Sequence, residues 1–374
     1  MKVIDMHCDT ISELLRLKEK GTPEELRRNR RQIDLVRMKE GQYLLQNFAL
    51  FVRLKAPSAK EDPEKQYDPW ERVRSMYALY REELLKNQDI LAPVLRYGDI
   101  EKNEAAGKLS SLLAVEEGGV CAGRVERLRE LFLMGVRMMT LTWNFDNEIG
   151  HPNRVPKLAE QMKRAMEEWK KWKELPLDAP GREQARQRTA QIVQAGLHTP
   201  EVERGLTDKG REFVCEMERM GMIVDVSHLS DAGFLDVLET AKKPFVASHS
   251  NARAVCPNVR NLTDDMIRAL AERGGVMGLN FCADFLEEKP FGVRNPGTVE
   301  AAVGHAKHIV SVGGIEVLGL GSDFDGIDVH EELPGAQSMG VLWEALHEAG
   351  FTQDELDRIF YKNVLRVYKD TLAQ

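Results

Sequence analysis

Five apolar runs in this sequence stop at residues able to hold a divalent cation. His7-Cys8-Asp9 ends the first, Glu116-Glu117 ends another, and His228, His249 and Asp323 each close one more. Side chains at i and i+2 of a strand share a face, so His7 and Asp9 can reach one ion together while Cys8 points away. Each residue has an ordinary alternative. A strand-end histidine is commonly hydrogen-bonded and structural, and an Asp or Glu there commonly caps the next helix. Recurrence at five strand ends is what those alternatives fail to explain. Neutral imidazoles and carboxylates are the donors that zinc and similar ions take, and metal-assisted hydrolysis is the chemistry such a set offers.

Residues as far apart in the chain as His7 and Asp323 meet only if the fold brings many strand ends to one place. Eight candidate strands lie at 3–7, 43–52, 111–116, 137–143, 222–227, 244–249, 275–281 and 317–322. They alternate with longer helical patterns, the signature of βα units and a parallel sheet. Several are nearly continuous apolar runs, as strands covered on both faces must be. Eight such units closing on themselves make a (β/α)8 TIM barrel of the α/β class, whose active sites sit at the C-terminal ends of the strands.

Two stretches interrupt the alternation. Residues 56–70 are polar, with Pro57, Pro63 and Pro69, and read as a long loop after the second strand. Residues 156–197 are charge-rich and read as a helix, a break at Pro176 and Pro180, and a second helix. This helical insertion follows the fourth strand, on the face where active sites sit. Its simplest reading is a solvated hairpin; a lid or a subunit contact is the alternative.

Composition sets the outer bounds. At about 150 residues per domain, 374 residues allow two or three domains, yet α/β barrels run past about 250 residues as one. The reading is a single metallohydrolase domain over 1–374. With 52 basic against 60 acidic side chains the net charge is −8, and hydrophobic content is 43%. Disorder and rod-like repeats are thereby excluded, and no nucleic acid is expected as a partner without a basic face. No run approaches the roughly 20 apolar residues of a membrane span, nor does the N-terminus read as a signal peptide. No membrane partner is expected, and the location read from the sequence is cytoplasmic. Cys8, Cys121, Cys215, Cys256 and Cys282 are widely spaced without a CxxC pair, which fits reduced thiols. A homodimer is compatible with the sequence, which does not fix the oligomeric state.

At the level of motifs the chain resembles the membrane dipeptidase, or renal dipeptidase, family of metallopeptidases, within the amidohydrolase-like barrels. The motifs are His7-Cys-Asp9, Val115-Glu-Glu-Gly-Gly119, Thr140-Leu-Thr142, Gly205-Leu-Thr-Asp-Lys-Gly210, Asp225-Val-Ser-His228, Ser248-His-Ser250, Arg260-Asn261 and Gly321-Ser-Asp-Phe-Asp-Gly326. The resemblance implies a dipeptidase with two zinc ions, other divalent metals being alternatives. His7 and Asp9 would hold one ion, His228 and His249 the other, and a glutamate would bridge them. Two ions about 3.5 to 4 Å apart can share a carboxylate and a water, acidified into a bridging hydroxide. No serine or cysteine nucleophile is then required. Asp323 would move protons as general base and acid, and Arg260, 11 residues after His249, would bind the substrate's C-terminal carboxylate.

Two positions depart from the family pattern. Trp143 stands where mammalian members carry a substrate-contacting histidine, so that contact is lost or passes to Asn144. The single family glutamate before Gly-Gly is doubled. Spacing to the glycines favours Glu117, strand register favours Glu116, and Glu116 is taken as the bridge. By the same resemblance, dipeptides with a D-residue at the C-terminal position are expected substrates. The rival readings are another amidohydrolase-type hydrolysis, of a lactone, an amine-bearing ring or a phosphoester, and a non-catalytic barrel that binds peptide or metal.

Overall fold

The computed structural model describes residues 1–54, 67–176, 178–328 and 330–373. Nine strands are present among them: β1 (Val3–Cys8), β2 (Tyr43–Phe51), β3 (Leu91–Pro93), β4 (Leu109–Glu116), β5 (Val136–Thr140), β6 (Ile223–Asp225), β7 (Val246–Ala247), β8 (Val276–Leu279) and β9 (Leu318–Leu320). All pair in parallel, in the order β2-β1-β9-β8-β7-β6-β5-β4-β3, and a further β2–β4 pairing closes a ring of eight that excludes β3. The architecture is a (β/α)8 TIM barrel. Both β2 and β3 pair with Ser110 of β4, from opposite sides, and β5 replaces β3 beyond Leu113. This extra strand is absent from the sequence expectation because three residues ending in proline carry no periodic signal.

Alternation along the strands decides what reaches the mouth. In β4, Leu112 and Ala114 lie in the cluster inside the barrel, whereas Leu113 and Val115 pack outward under the helices. Glu116 therefore falls on the inner face and Glu117 on the outer. Ile4 and Met6 of β1 are likewise internal, but Cys8 packs in the outer layer. A register shift between Asp5 and Cys8 accounts for this exchange and turns His7 inward. At the strand starts the barrel is plugged by the Asn363–Thr371 helix, with Val364, Val367 and Tyr368 in the internal cluster and the Tyr368 hydroxyl donating to Asn47 Oδ1 at 2.9 Å.

The later strands are shorter than the sequence suggests, β7 having two residues and β9 three. Side chains replace ladder bonds there. Asp225 Oδ1 accepts from Ser248 N at 2.8 Å, Ser227 Oγ from His249 N at 3.1 Å, and Asp5 Oδ1 from Ser322 N at 2.8 Å.

The insertion is a pair of helices, Pro156–Lys173 and Arg182–His198, after β5. It leans on the loop after β8: Trp169 meets Phe291 edge-on at 5.8 Å, Arg186 Nη1 donates to the Phe291 carbonyl at 3.2 Å, and His198 Nε2 lies 2.8 Å from Glu288. Of the loop expected at 56–70, residues 56–66 lie outside the described residues, and Pro69 and Trp70 open a helix, Pro69–Lys86. Asp68 caps it by accepting from Trp70 N and Glu71 N, and proline is well tolerated in a first turn. No described helix is long and apolar enough to cross a membrane.

Candidate metal centre

Six of the residues read from the sequence converge at the barrel mouth, all buried: His7, Asp9, Glu116, His228, His249 and Asp323. Glu116 sits between two groups of them. Its Oε2 lies 3.5 Å from His7 Nε2, and its Oε1 lies 3.0 Å from His228 Nε2 and 3.6 Å from His249 Nε2. On the first side His7 Nε2 is also 3.6 Å from Asp9 Oδ2 and 3.8 Å from Asp323 Oδ1. Glu117 faces the other way. Its carboxylate accepts from Gly119 N, Trp143 N and Asn147 Nδ2 and so ties down the loops after β4 and β5.

Hydrogen bonding fixes where the ring protons sit on the His228 and His249 side. Asp225 Oδ2 accepts from the hydroxyls of Thr140 and Ser248, each at 2.6 Å. Ser248 has one proton to give and gives it to the carboxylate, so at 2.7 Å its oxygen accepts from His249 Nδ1. In the same way Asn144 Oδ1, at 3.2 Å, takes the Nδ1 proton of His228. Both Nε2 atoms then present lone pairs. They face one another at 3.0 Å with Glu116 Oε1 beside them. Burial, reinforced by the charges of Arg260 and His7, holds both imidazoles well below the usual histidine range, so no proton fills the gap. An arrangement of lone pairs aimed at one another is stable with a cation among them.

On the other side the need is the same. Both ring nitrogens of His7, and Asp9 Oδ1, are buried without a hydrogen-bond partner, which carries a cost of about 1–3 kcal/mol per group unless an ion or water satisfies it. Burial works against a charged His7, but Glu116 and Asp9 outweigh it and raise its pKa well above the ordinary value. Burial raises Glu116 to about 7, His7 counteracting and Asp9 adding to it. Asp323 rises to about 6, again through burial, with His7 opposing and Asp9 assisting. These carboxylates and imidazoles form two overlapping groups of metal-ligand geometry, His7–Glu116–His249 and His7–Asp9–Asp323. The donor set fits divalent ions.

Around this cluster stand residues that position it. Asn280, at the end of β8, donates to Asp323 Oδ2 at 3.0 Å and to the His249 carbonyl at 3.3 Å. A Cβ at Gly326 would overlap Asp9 Oδ2 and approach Asp323 Oδ1, so glycine lets this loop pass the two carboxylates. Left-handed backbone at His228 (φ 69°) and Asp323 (φ 64°) is the kind of strain that binding sites retain. Arg260 is partly buried, its Nη2 on the His249 carbonyl at 3.2 Å and its guanidinium 5.4 Å over Phe285. Asn144 reaches His228 rather than open space, and Trp143 lies 6.2 Å from the same ring. Asp325 is a loop cap, accepting from Gln32 N and Thr10 Oγ1. His305 is likewise structural, Nδ1 accepting from Ala252 N at 3.1 Å.

Sequence reasoning assigned no role to Asp5, Asp225, Ser248, Ser322 or Asn280. A signal was there for the two aspartates. A carboxylate inside an apolar run such as Ile223-Val224-Asp225-Val226 is buried only with partners.

Fold and site together define a metal-dependent hydrolase of the barrel type. Comparison with known proteins gives the family: the chain matches the model of the membrane dipeptidase family, peptidase family M19, over residues 1–168 and 187–374, and belongs to it. It is a metal-dependent dipeptidase. The unmatched stretch falls within the inserted helical hairpin. Among relatives, an uncharacterized protein from the pqqA 5' region of Klebsiella pneumoniae is 29% identical over 308 residues, 82% of this chain and 98% of its own. A protein described as an uncharacterized dipeptidase of Schizosaccharomyces pombe is 29% identical over 362 residues, 90% of this chain and 72% of its own. The barrel is similar to a metallo peptidase from Rhodobacter sphaeroides, solved with a phosphinate mimic of the dipeptide L-Ala-D-Ala, at a TM-score of 0.79, 24% identity and 99% coverage of both chains.

Proposed function

We propose that the protein hydrolyses dipeptides with two divalent ions, zinc by the family's habit, held by His7 and Asp9 on one side, by His228 and His249 on the other, and by Glu116 between them. The observation that carries this reading is the position of Glu116, one oxygen toward His7 and the other toward the paired Nε2 atoms. Divalent ions at such a site acidify a water and polarise a carbonyl.

The protein's own groups do the rest. Asp323, held on one oxygen by Asn280 and raised to about 6, accepts a proton from water and returns it to the leaving amine. Arg260 takes the C-terminal carboxylate of the substrate, for which its planar fork is suited. That guanidinium leans on Phe285 and the His249 carbonyl, and no described side chain pairs with it as a salt bridge. Asn144 and Ser248 keep the Nδ1 protons of the two histidines in place, as partners of ligating histidines do. By the resemblance to the family, a D-residue at the C-terminal position is expected to be accepted. Five free thiols support a reducing, cytoplasmic location.

A screen of L,L and L,D dipeptides, free and amidated at the C-terminus, tests this function. Cleavage of free dipeptides with a ten- to hundredfold loss on amidation, about the worth of a hydrogen bond to a charged group, is expected. Equal cleavage of both forms would remove Arg260 from the carboxylate role and favour a broader amidohydrolase activity.

A further inference from the structure

Two guanidiniums at the mouth, one on the rim opposite Arg260 and one midway between the two rims, have no described carboxylate to pair with. Arg53 follows β2 and Arg154 lies on the loop after β5. In the ring β1-β2-β4-β5-β6-β7-β8-β9, β2 is four places from β7 in either direction, so Arg53 and Arg260 occupy opposite rims.

Arg154 is tied to the site through its neighbours. Asn153 N donates to the His228 carbonyl at 2.8 Å, and Arg154 Nη1 donates to the carbonyl of Asn144 at 3.4 Å, the residue whose side chain meets His228. Arg53 lies 5.8 Å over the Phe145 ring, which stands 5.7 Å from Trp143. Arg154 is partly buried and Arg53 exposed. Burial, and then the charge of Arg53, lower the pKa of Arg154. Of the two acidic residues of this loop, Asp146 is already engaged by His151 at 3.2 Å and Arg204 at 2.9 Å, and Glu148 forms no ion pair with either arginine among the described residues. Two like charges held near each other, one of them partly desolvated, are unfavourable until an anion joins them. With the C-terminal carboxylate of a dipeptide on the Arg260 rim, the opposite rim faces its N-terminal residue.

We propose that Arg53 and Arg154 form a subsite for a side-chain carboxylate on the N-terminal residue of the substrate, so that dipeptides beginning with Glu or Asp are preferred. The proposal rests on the dipeptidase reading above. The test compares kcat/KM for Glu-Ala and Gln-Ala dipeptides, each with L- and D-alanine, on the metal-loaded enzyme. A preference for Glu over Gln of about ten- to a hundredfold is expected, the range for a charge-assisted hydrogen bond. It should shrink as salt is raised.

In Arg154→Gln and in Arg53→Gln that ratio should fall by at least about fivefold, with Arg154→Lys between these and the wild type. Arg53 is exposed, so its variant carries the test even if Arg154→Gln fails to fold. A wild-type ratio near one with both substrates cleaved, or a high ratio that survives Arg53→Gln, overturns the subsite and leaves the dipeptidase reading intact. Hydrolysis of none of these or any other dipeptide overturns both.

Discussion

Two seams of the barrel carry the same device and use it differently. At β6–β7 the buried Asp225 accepts from Ser248, and at β1–β9 the buried Asp5 accepts from Ser322, each through both a backbone N–H and a hydroxyl. Beyond that point they diverge. The Ser248 hydroxyl reaches the ring of His249 at 2.7 Å and fixes its tautomer. Ser322 reaches only the backbone of His7, its hydroxyl oxygen 3.3 Å from that carbonyl, while Asp5 accepts from His7 N at 3.3 Å. His7 keeps both ring nitrogens unpartnered. One seam thus presets a ligand, and the other positions the main chain and leaves the ring to be oriented by what binds there.

The largest effect that can separate the two sides lies at Asp323, which stands with His7 and Asp9 on the less preset side. Asp323→Asn should retain its ions and lose roughly 10² to 10⁴ in kcat, the worth of a general acid and base. Loss of metal from that variant would instead make Asp323 a ligand.

Next in size is the contrast between the serines. Ser248→Ala removes the ring partner of His249 and should weaken metal binding by about 10- to 100-fold in a chelator competition. Ser322→Ala removes no ring contact. Its effect should appear in denaturant unfolding, about 1–3 kcal/mol from the weakened hold on buried Asp5, with metal affinity within about threefold of wild type. Equal losses of metal affinity in both variants would erase the distinction between the seams. Asn144→Ala, which removes a single bond to His228 at 3.2 Å, should weaken metal binding less than Ser248→Ala, by nearer tenfold.

Much of the barrel was legible because its strands are apolar runs punctuated by turn residues, and all eight ring strands overlap the runs read from the sequence. Strand ends were less legible. At β7 and β9 the ladder gives way to bonds with Asp225, Ser227 and Asp5, and no local pattern announces a partner 317 positions away, as in Asp5–Ser322. The residues at the mouth could be listed from type and position. Period-two alternation also separated Glu116 from Glu117, a choice that loop spacing alone would have reversed. What the sequence withheld was the relation among side chains. That Asn144 bonds a histidine, that Asn280 holds Asp323, and that Arg53 and Arg154 lie without described counter-ions all depend on contacts between separate βα loops.

The central claim, that Glu116 joins two ion sites built from the strand ends, is most directly tested by metal stoichiometry. Zinc-replete wild-type protein and the Glu116→Gln and Glu117→Gln variants would be dialysed together and their metal content measured per chain. Two ions in the wild type and in Glu117→Gln, with occupancy of both sites reduced in Glu116→Gln, is the predicted result. At most one ion in the wild type, or sites emptied by Glu117→Gln and left full by Glu116→Gln, would contradict it.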